Sequence, residues 1–323
     1  MALDRHGLLY GSSSQMRKLY RLLEKVAPTD ATVLIIGETG AGKELVAHTI
    51  HQSSARAAEP FIVINCGAIP ANLIEAELFG HERGSFTGAV RTHKGCFERA
   101  AGGTIFLDEI TEMAPEMQVK LLRVLESGSL RRVGGDQEIE VNVRVIAATN
   151  RQPETAVAQG QLREDLLYRL SVFPVVVPPL RERGDDIMLL ARHFLDELNR
   201  EAGSEKTFSA GALKFLGAHS WPGNVRELRN AIHRAYIMAG REIDLSPAGI
   251  APAGAAPPSG DSLTFPVGIP LAEAERQLIF ATLNRFQGNK KKTAEVLGVS
   301  LKTLYNRLTE YRANGTTLVR VTG

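Results

Sequence analysis

A glycine-rich run that ends in lysine is the first group of residues in this 323-residue chain able to do chemistry. It follows a short apolar stretch, and its members are Gly37, Glu38, Thr39, Gly40, Ala41, Gly42 and Lys43. Glycines let backbone N–H groups curl around phosphate oxygens, and the start of a following helix adds partial positive charge. The lysine supplies a point charge for the β- and γ-phosphates. The run therefore predicts a loop that binds ATP.

A pair of carboxylates at the end of an apolar run is the second such group. Asp108 and Glu109 follow Thr104–Leu107, where Asp108 can orient hydrated Mg²⁺ and Glu109 can polarise an attacking water. Position 44 is Glu, a predicted nucleotide-site residue, in place of the Ser or Thr whose hydroxyl usually contacts magnesium. Metal binding therefore depends more on Asp108. Asn150 ends another apolar run and is predicted to read the γ-phosphate or to hold the water.

Short apolar runs that alternate with helical stretches must position these groups. The runs lie at 32–36, 61–65, 104–107, 143–149 and 172–177. This alternation is typical of an α/β fold in which helices sandwich a parallel sheet. Beyond Pro178-Pro179 the strands are expected to stop, and helices are predicted at 187–201, 209–219 and 224–239. Asp185-Asp186 is interpreted as the N-cap of the first of these helices, in preference to a metal site.

These patterns predict the domain boundaries. We expect an α/β subdomain over 1–178, a helical lid over 179–245, a flexible linker rich in Pro, Ala, Gly and Ser over 246–268, a compact helical unit over 269–312 and a tail over 313–323. The formal net charge of the whole chain is +2. From Leu271 onward the sequence contains nine lysines and arginines but only four glutamates, so the positive charge is concentrated at this end. A basic end on a near-neutral body suggests a module that binds a polyanion.

Composition also restricts the location of the protein. Cys66 and Cys96 are too few for a disulfide framework and are expected to be buried thiols. No signal peptide is recognisable, and no apolar run approaches the roughly 20 residues that a membrane helix needs. We therefore expect a cytoplasmic protein without a membrane partner.

A glycine-flanked segment lies between the nucleotide loop and the acidic strand end. Its residues are Gly84, Ser85, Phe86, Thr87, Gly88 and Ala89. Such a segment makes a poor helix interior and a good mobile loop tip. A loop in this position could move when nucleotide is hydrolysed and act on another molecule.

The basic end has the pattern of a helix, a tight turn and a second helix. Gly298 suits the turn and Ser300 the N-cap of a helix over 301–310, with Leu304 and Leu308 facing inward. The predicted DNA contacts are made by Lys290, Lys291 and Lys292 to phosphates and by Lys302, Thr303, Asn306 and Arg307 on the outer face of the second helix.

Two further motifs carry a resemblance to a known family. Residues 7–245 resemble the AAA+ ATPase domain of sigma-54-dependent transcriptional activators, the bacterial enhancer-binding proteins. Leu78–Glu82 leading into the segment 84–89 is a signature of that family, as is Trp221–Leu228. Glu at position 44 is also usual there. The resemblance implies an α/β AAA+ sheet, a helical lid and ATP hydrolysis with Mg²⁺.

The resemblance also implies residue roles. Asn65 matches the residue that restrains Glu109 in a switch, Arg163 and Arg169 match the candidate arginine fingers, and Arg226 matches the second sensor. A finger that acts in trans implies a ring, a hexamer by analogy with the family. Taken without the family, these three arginines are ordinary surface residues.

The segment 84–89 contacts sigma-54 in that family, chiefly through Phe86 and Thr87. Ser85 stands here where Ala is commoner, and we expect the contact to be retained. Arg131–Asp136 resembles the supporting loop of the family, although a plain turn is an equal interpretation. Residues 269–312 resemble the Fis-type helix-turn-helix.

The resulting prediction is an ATP-dependent activator of the sigma-54 RNA polymerase holoenzyme that binds upstream enhancer DNA, as a dimer on DNA and a hexameric ring when active. About ten residues precede the first motif, so we expect no N-terminal regulatory domain. Either a regulatory protein acts in trans, as with the phage-shock type of activator, or the chain is a truncation. Two alternatives remain: a DNA-binding regulator or repressor with reduced activator coupling, and an ATP-driven remodeller of other proteins.

Overall fold

The computed structural model describes residues 5–70, 73–86, 88–245, 270–286 and 289–313. Thr87, the predicted linker 246–268 and nearly all of the predicted tail therefore lie outside the described residues. The chain divides into two compact units, Met1–Ala251 and Pro252–Gly323.

A parallel sheet forms the centre of the first unit. Within the described residues it has five strands: β3 (Val33–Ile36), β4 (Phe61–Asn65), β5 (Thr104–Asp108), β8 (Arg144–Thr149) and β9 (Phe173–Val176). Their spatial order across the sheet is β4-β5-β8-β3-β9. Every pairing between these neighbours is parallel. The observed bounds differ from the predicted ones by no more than one residue at each end, and the predicted α/β fold class is confirmed.

Helices cover both faces of the sheet. They are α1 (Ser14–Val26), α2 (Lys43–Gln52), α3 (Ile74–Phe79), α4 (Cys96–Arg99), α5 (Pro115–Ser127), α6 (Pro153–Ala158) and α7 (Glu164–Leu170). Alternate residues of one strand point to opposite faces. Ile105 and Leu107 accordingly pack into the core that contains α3 to α7, whereas Phe106 packs into the core beneath α1 and α2.

The lid follows the sheet and is mainly helical, as predicted. Its helices are α8 (Asp186–Ala202), α9 (Ala210–Ala218) and α10 (Asn224–Met238), packed around the fully buried Trp221. The expectation that strands stop after Pro179 is wrong, because β10 (Thr207–Phe208) pairs in parallel with β11 (Glu242–Ile243). Strands of two residues are too short to produce a recognisable pattern.

The acidic pair at the start of α8 also differs from its prediction. Asp185 occupies the N-cap position without a side-chain capping bond. Asp186 is fully buried, and its carboxylate accepts hydrogen bonds from the backbone N–H groups of Ser12 and Ser13 at 2.6 and 3.0 Å. This carboxylate therefore fixes the segment before α1 to the lid.

Two short hairpins were not predicted. β1 (Arg5–His6) pairs with β2 (Leu9–Tyr10), and β6 (Ser129–Arg131) pairs with β7 (Glu138–Glu140), both antiparallel. The segment 131–136, for which a supporting loop and a plain turn remained equal interpretations, thus begins in the first strand of the second hairpin.

The second unit contains α11 (Leu271–Arg285), α12 (Lys290–Val296) and α13 (Leu301–Ala313) within the described residues. Gly298 in the turn has φ +66°, and Ser300 Oγ accepts a hydrogen bond from the backbone N–H of Thr303 at 3.0 Å. Leu304 and Leu308 lie in the core of this unit. The predicted turn, N-cap and inward leucines are confirmed.

A matched pair of leucine truncations tests the sheet core. Leu34 on β3 is fully buried, whereas Leu45 on α2 is 44% exposed. We expect Leu34→Ala to lower the free energy of unfolding by about 2–5 kcal/mol, because it removes buried methyl groups and leaves a cavity. Leu45→Ala should cost about 1 kcal/mol or less. Urea unfolding followed by far-UV circular dichroism measures both, and equal losses would contradict this packing.

Candidate functional site

The glycine-rich run forms a loop between β3 and α2. Gly40 and Gly42 have φ of +78° and +105°, values that favour glycine. A Cβ at Gly40 would lie 2.3 Å from the carbonyl oxygen of Gly223, so the lid itself requires a glycine there. The loop thus follows a strand and precedes a helix, which is the arrangement that a phosphate-binding loop needs.

Lys43 begins α2 and points back into this loop. Its side chain donates to the carbonyl oxygens of Gly37 and Glu38 at 2.8 and 3.3 Å, and the residue is only 8% exposed. Burial lowers the pKa of Lys43, and the charges of Asp108 and Glu109 partly oppose this shift. The ammonium therefore lies near the two carboxylates at the end of β5.

The acidic strand end is partly buried and strained. Burial raises the pKa of Asp108, while the charge of Lys43 acts in the opposite direction. One Asp108 carboxylate oxygen accepts the backbone N–H of Glu109 at 3.0 Å. Glu109 has φ +54° and ψ +48°, a left-handed conformation that costs a non-glycine residue free energy. The charge of the exposed Glu44 also acts on Asp108, and such carboxylates are oxygen ligands of the kind that Mg²⁺ prefers.

Asn65 lies next to Asp108 across the sheet, because these two residues are paired in the β4–β5 register. Its side-chain oxygen accepts the backbone N–H groups of Gly67 and Ala68 at 2.9 and 3.0 Å. A Cβ at Gly67 would lie 3.0 Å from Glu109 Oε2 and 3.5 Å from Asn65 Oδ1. Asn65 and Glu109 thus border the same gap, and the switch role of Asn65 stays a prediction.

Two further predicted residues contact the nucleotide loop. The Asn150 side-chain amide donates to Thr39 Oγ1 at 3.2 Å, and the Arg226 backbone N–H donates to the carbonyl oxygen of Gly40 at 3.3 Å. The fold therefore brings the end of β8 and the start of α10 to the loop.

The two candidate arginine fingers lie apart from the loop in sequence and in their contacts. Arg163 forms an ion pair with Asp165 at 2.6 Å, and Arg169 donates to the carbonyl oxygen of Leu125 at 2.7 and 3.1 Å. Both arginines are exposed, at the N-cap and in the last turn of α7. Their role in trans stays a prediction.

Arg181 and Asn224 contact the nucleotide loop, and neither contact was predicted from the sequence. Both bind the Glu38 carboxylate, and the hydrogen bonds from Arg181, followed by that from Asn224, lower the pKa of Glu38 to about 2. Asn224 belongs to the motif 221–228, but nothing in its spacing points to position 38, since 186 residues separate the two.

The glycine-flanked segment folds back on itself at its base. The Gly84 N–H donates to the Ala89 carbonyl at 2.8 Å, and the Ser85 hydroxyl donates to the Glu82 carbonyl at 2.8 Å. Phe86 is 39% exposed at the tip, with its ring edge-on to the His81 ring at 4.9 Å between centroids. The base is therefore held, while an aromatic side chain remains accessible.

The segment 131–136 supports that base. Arg132 bridges Glu82 and Glu98 in ion pairs of 2.8 and 2.6 Å, which lower the pKa of both glutamates. A Cβ at Gly134 would lie 2.6 Å from Cβ of Ser85. This packing favours the supporting-loop interpretation over the plain turn.

The second unit presents most of its predicted DNA contacts to solvent. Lys291 and Lys292 on α12 are exposed, Lys290 is half-buried, and Lys302, Thr303 and Asn306 on α13 are exposed. Arg307 is half-buried and forms an ion pair with Glu275 at 3.1 Å. Binding of DNA by these residues stays a prediction.

Three family models match successive parts of the chain. Residues 9–176 match the Sigma-54 interaction domain, residues 181–250 match the AAA+ ATPase lid domain, and residues 270–311 match the Bacterial regulatory protein, Fis family.

Curated relatives match along nearly the whole chain. The nitrogen fixation proteins AnfA and VnfA of Azotobacter vinelandii are 46% and 48% identical, over 94% and 95% of this chain. The transcriptional regulatory protein FlbD of Caulobacter vibrioides is 46% identical over 93% of this chain and 69% of its own length. This chain spans 57% and 59% of the lengths of AnfA and VnfA.

Solved structures are also similar to this chain along most of its length. NtrX from Brucella abortus superposes with a TM-score of 0.75 at 38% identity, over 93% of this chain and 68% of that one. A structure of NtrX in complex with ATP superposes with a TM-score of 0.72 at 36% identity, over 95% of this chain and 70% of that one. Among the helices that the structure describes here, none combines the length and the apolar character of a membrane span.

Removal of the Ser85 hydroxyl tests how the loop base is held. Ser85→Ala deletes a hydrogen bond worth ~1 kcal/mol, so we expect the amides of Gly84, Ser85 and Ala89 to exchange hydrogen about fivefold faster. Ser54→Ala is the matched control, because its hydroxyl donates to the carbonyl three residues earlier, at His51. Unchanged exchange at 84–89 in Ser85→Ala, measured by hydrogen–deuterium exchange, would refute the role of this bond.

Proposed function

The chain belongs to the family of sigma-54 interaction domain proteins, and from that premise we propose that it is an ATP-dependent activator of sigma-54 RNA polymerase. One observation carries the proposal. The loop 84–89 and the nucleotide loop lie in the same compact unit, with an accessible Phe86 at the tip of the former. A single domain can thus hydrolyse nucleotide and present a loop to a partner.

Hydrolysis of ATP rests on the carboxyl edge of the sheet. Lys43 would bind the terminal phosphates, Asp108 would hold Mg²⁺ through water, and Glu109 would take the proton of the attacking water. Bound Mg²⁺ would neutralise phosphate charge during the transfer. The hydrogen bonds of the buried Lys43 to the loop carbonyls and its proximity to both carboxylates support this assignment.

A ring of copies would complete the site. Arg163 and Arg169 are exposed. Arg163 pairs with Asp165 of its own helix and Arg169 donates to Leu125 of α5, so neither is committed to the nucleotide loop of its own chain. An arginine from a neighbouring copy would stabilise the charge of the transition state. We propose a hexameric ring for this state and a dimer on DNA.

The second unit would tether the motor to enhancer DNA upstream of the promoter. Exposed lysines on α12 favour contacts to phosphates, and the exposed residues of α13 favour contacts to base edges. With the boundaries predicted above, a linker over 246–268 would join this unit to the lid.

Two substitutions should separate nucleotide binding from hydrolysis. Lys43→Ala should abolish ATP binding, since it removes the charge for the phosphates, while binding of operator DNA persists. Glu109→Gln should retain ATP binding and slow hydrolysis by about 10²–10⁴-fold. Glu116→Gln, an exposed change on α5, is the matched control and should hydrolyse at the wild-type rate. Fluorescent-nucleotide binding and phosphate release provide the readouts.

Loss of DNA binding in Lys43→Ala would contradict a separate DNA-binding module. Wild-type protein that binds operator DNA but hydrolyses no ATP would favour the alternative of a DNA-binding regulator.

A substitution at the loop tip should separate hydrolysis from activation. Thr87→Ala, at a position outside the described residues, should leave ATP hydrolysis present and abolish open-complex formation, because it changes the proposed sigma-54 contact. The measurement uses supercoiled promoter DNA, sigma-54 holoenzyme and permanganate footprinting. Wild-type activation by this variant would refute the contact. ATP hydrolysis without open complexes in the wild type would favour a protein remodeller.

A further inference from the structure

The Glu38 carboxylate, at the rim of the nucleotide loop, is bound from the lid by two side chains. Arg181 donates to its two oxygens at 2.6 and 2.8 Å, in a bidentate ion pair. The Asn224 amide donates to Oε2 at 3.0 Å. Bidentate arginine–carboxylate pairs are directional as well as charged, so the pair fixes a geometry between the lid and the loop.

Asn224 makes this contact from a strained backbone conformation. It is fully buried at the start of α10 with φ +55°, a conformation that non-glycine residues rarely adopt. Its amide also donates to the Thr39 carbonyl at 3.2 Å, and its oxygen accepts the Leu180 N–H at 2.8 Å. Surrounding contacts must hold such strain, and here those contacts join the loop to the lid.

Further contacts join the lid to the nucleotide loop at the same place. The Gly223 carbonyl lies against Gly40, and the Arg226 N–H donates to the Gly40 carbonyl. The buried Arg183 guanidinium donates to the Ala41 carbonyl at 2.7 Å. A lid that moves away from the loop must therefore break the Glu38 pair together with these bonds.

We infer that Arg181 and Asn224 act through Glu38 as a latch that holds the lid on the nucleotide loop and sets the rate at which nucleotide leaves. The inference rests on the proposed ATP binding. Arg181 and Glu38 are 44% and 40% exposed, so the ion pair is solvent-screened and readily reversible. A contact of this strength suits a lid that opens in every cycle. Arg181 and Asn224 are positioning residues, because they act through Glu38.

Removal of the charge of Arg181 tests the latch. Arg181→Gln should release a fluorescent ADP analogue about two- to fivefold faster and raise KM for ATP, with kcat unchanged or higher, because the interaction of an exposed ion pair is modest. Arg181→Lys should recover part of the wild-type rate. Stopped-flow release and steady-state hydrolysis by the full chain give both readouts.

A substitution of Glu38, the residue that pairs with Arg181, supplies a second variant and allows the energetic coupling between the two side chains to be measured. Glu38→Gln should release ADP faster as well. The double variant with Arg181→Gln should release ADP no faster than Glu38→Gln alone, because Arg181 acts through the Glu38 carboxylate. Arg192→Gln, which removes an exposed arginine of α8, is the matched control and should release ADP at the wild-type rate. In 0.5 M salt the wild type should approach Arg181→Gln.

Two results would overturn the latch: wild-type release by Arg181→Gln, or fully additive effects in the double variant. Both require that the wild type binds ADP and hydrolyses ATP, so the latch can fail while the proposed function stands. A wild type that binds no nucleotide would instead overturn the proposed function and the latch with it.

Discussion

The parallel register of the central sheet is the constraint on which the site depends. Asn65 pairs with Asp108 and Ile36 pairs with Thr149, so the strand ends that precede the nucleotide loop, the acidic pair and Asn150 all meet at one edge. Side chains far apart in sequence thus converge at this edge. The charge of Lys43 then lies among carboxylates, and their mutual interaction opposes the cost of burying each group.

The same fold holds the base of the loop 84–89 and leaves Phe86 at its tip accessible. Arg132 joins Glu82 to Glu98 through ion pairs, and the Ser85 hydroxyl closes the turn behind Phe86. Positive φ values at Gly84 and Gly88 let the chain reverse where a side chain would add strain. The base of the loop is therefore fixed by side-chain and backbone contacts, while Phe86 at the tip is accessible to another molecule.

Local pattern explains why much of the fold could be predicted. The strands are apolar, β-branched runs, and the nucleotide loop is a contiguous motif, so both are readable from neighbouring residues. The lid strands β10 and β11 were not predicted because a strand of two residues is too short to show an alternating pattern of apolar and polar side chains. Asp186 was misinterpreted because its partners, Ser12 and Ser13, are remote in sequence. The Glu38 contacts with Arg181 and Asn224 escaped prediction for the same reason, since long-range pairing of polar groups leaves no local signal.

Backbone strain marks the boundary at which the molecule would move. Among the described residues, the non-glycine positions with positive φ are Glu109, Trp221 and Asn224. The first follows the metal-binding aspartate of the proposed mechanism, and the other two flank Gly223 where the lid meets the nucleotide loop. Each such position costs on the order of 1–3 kcal/mol and persists only because surrounding contacts hold it. The strained positions therefore lie at the proposed catalytic carboxylate and where the lid meets the nucleotide loop, the two places that the proposed cycle would have to rearrange.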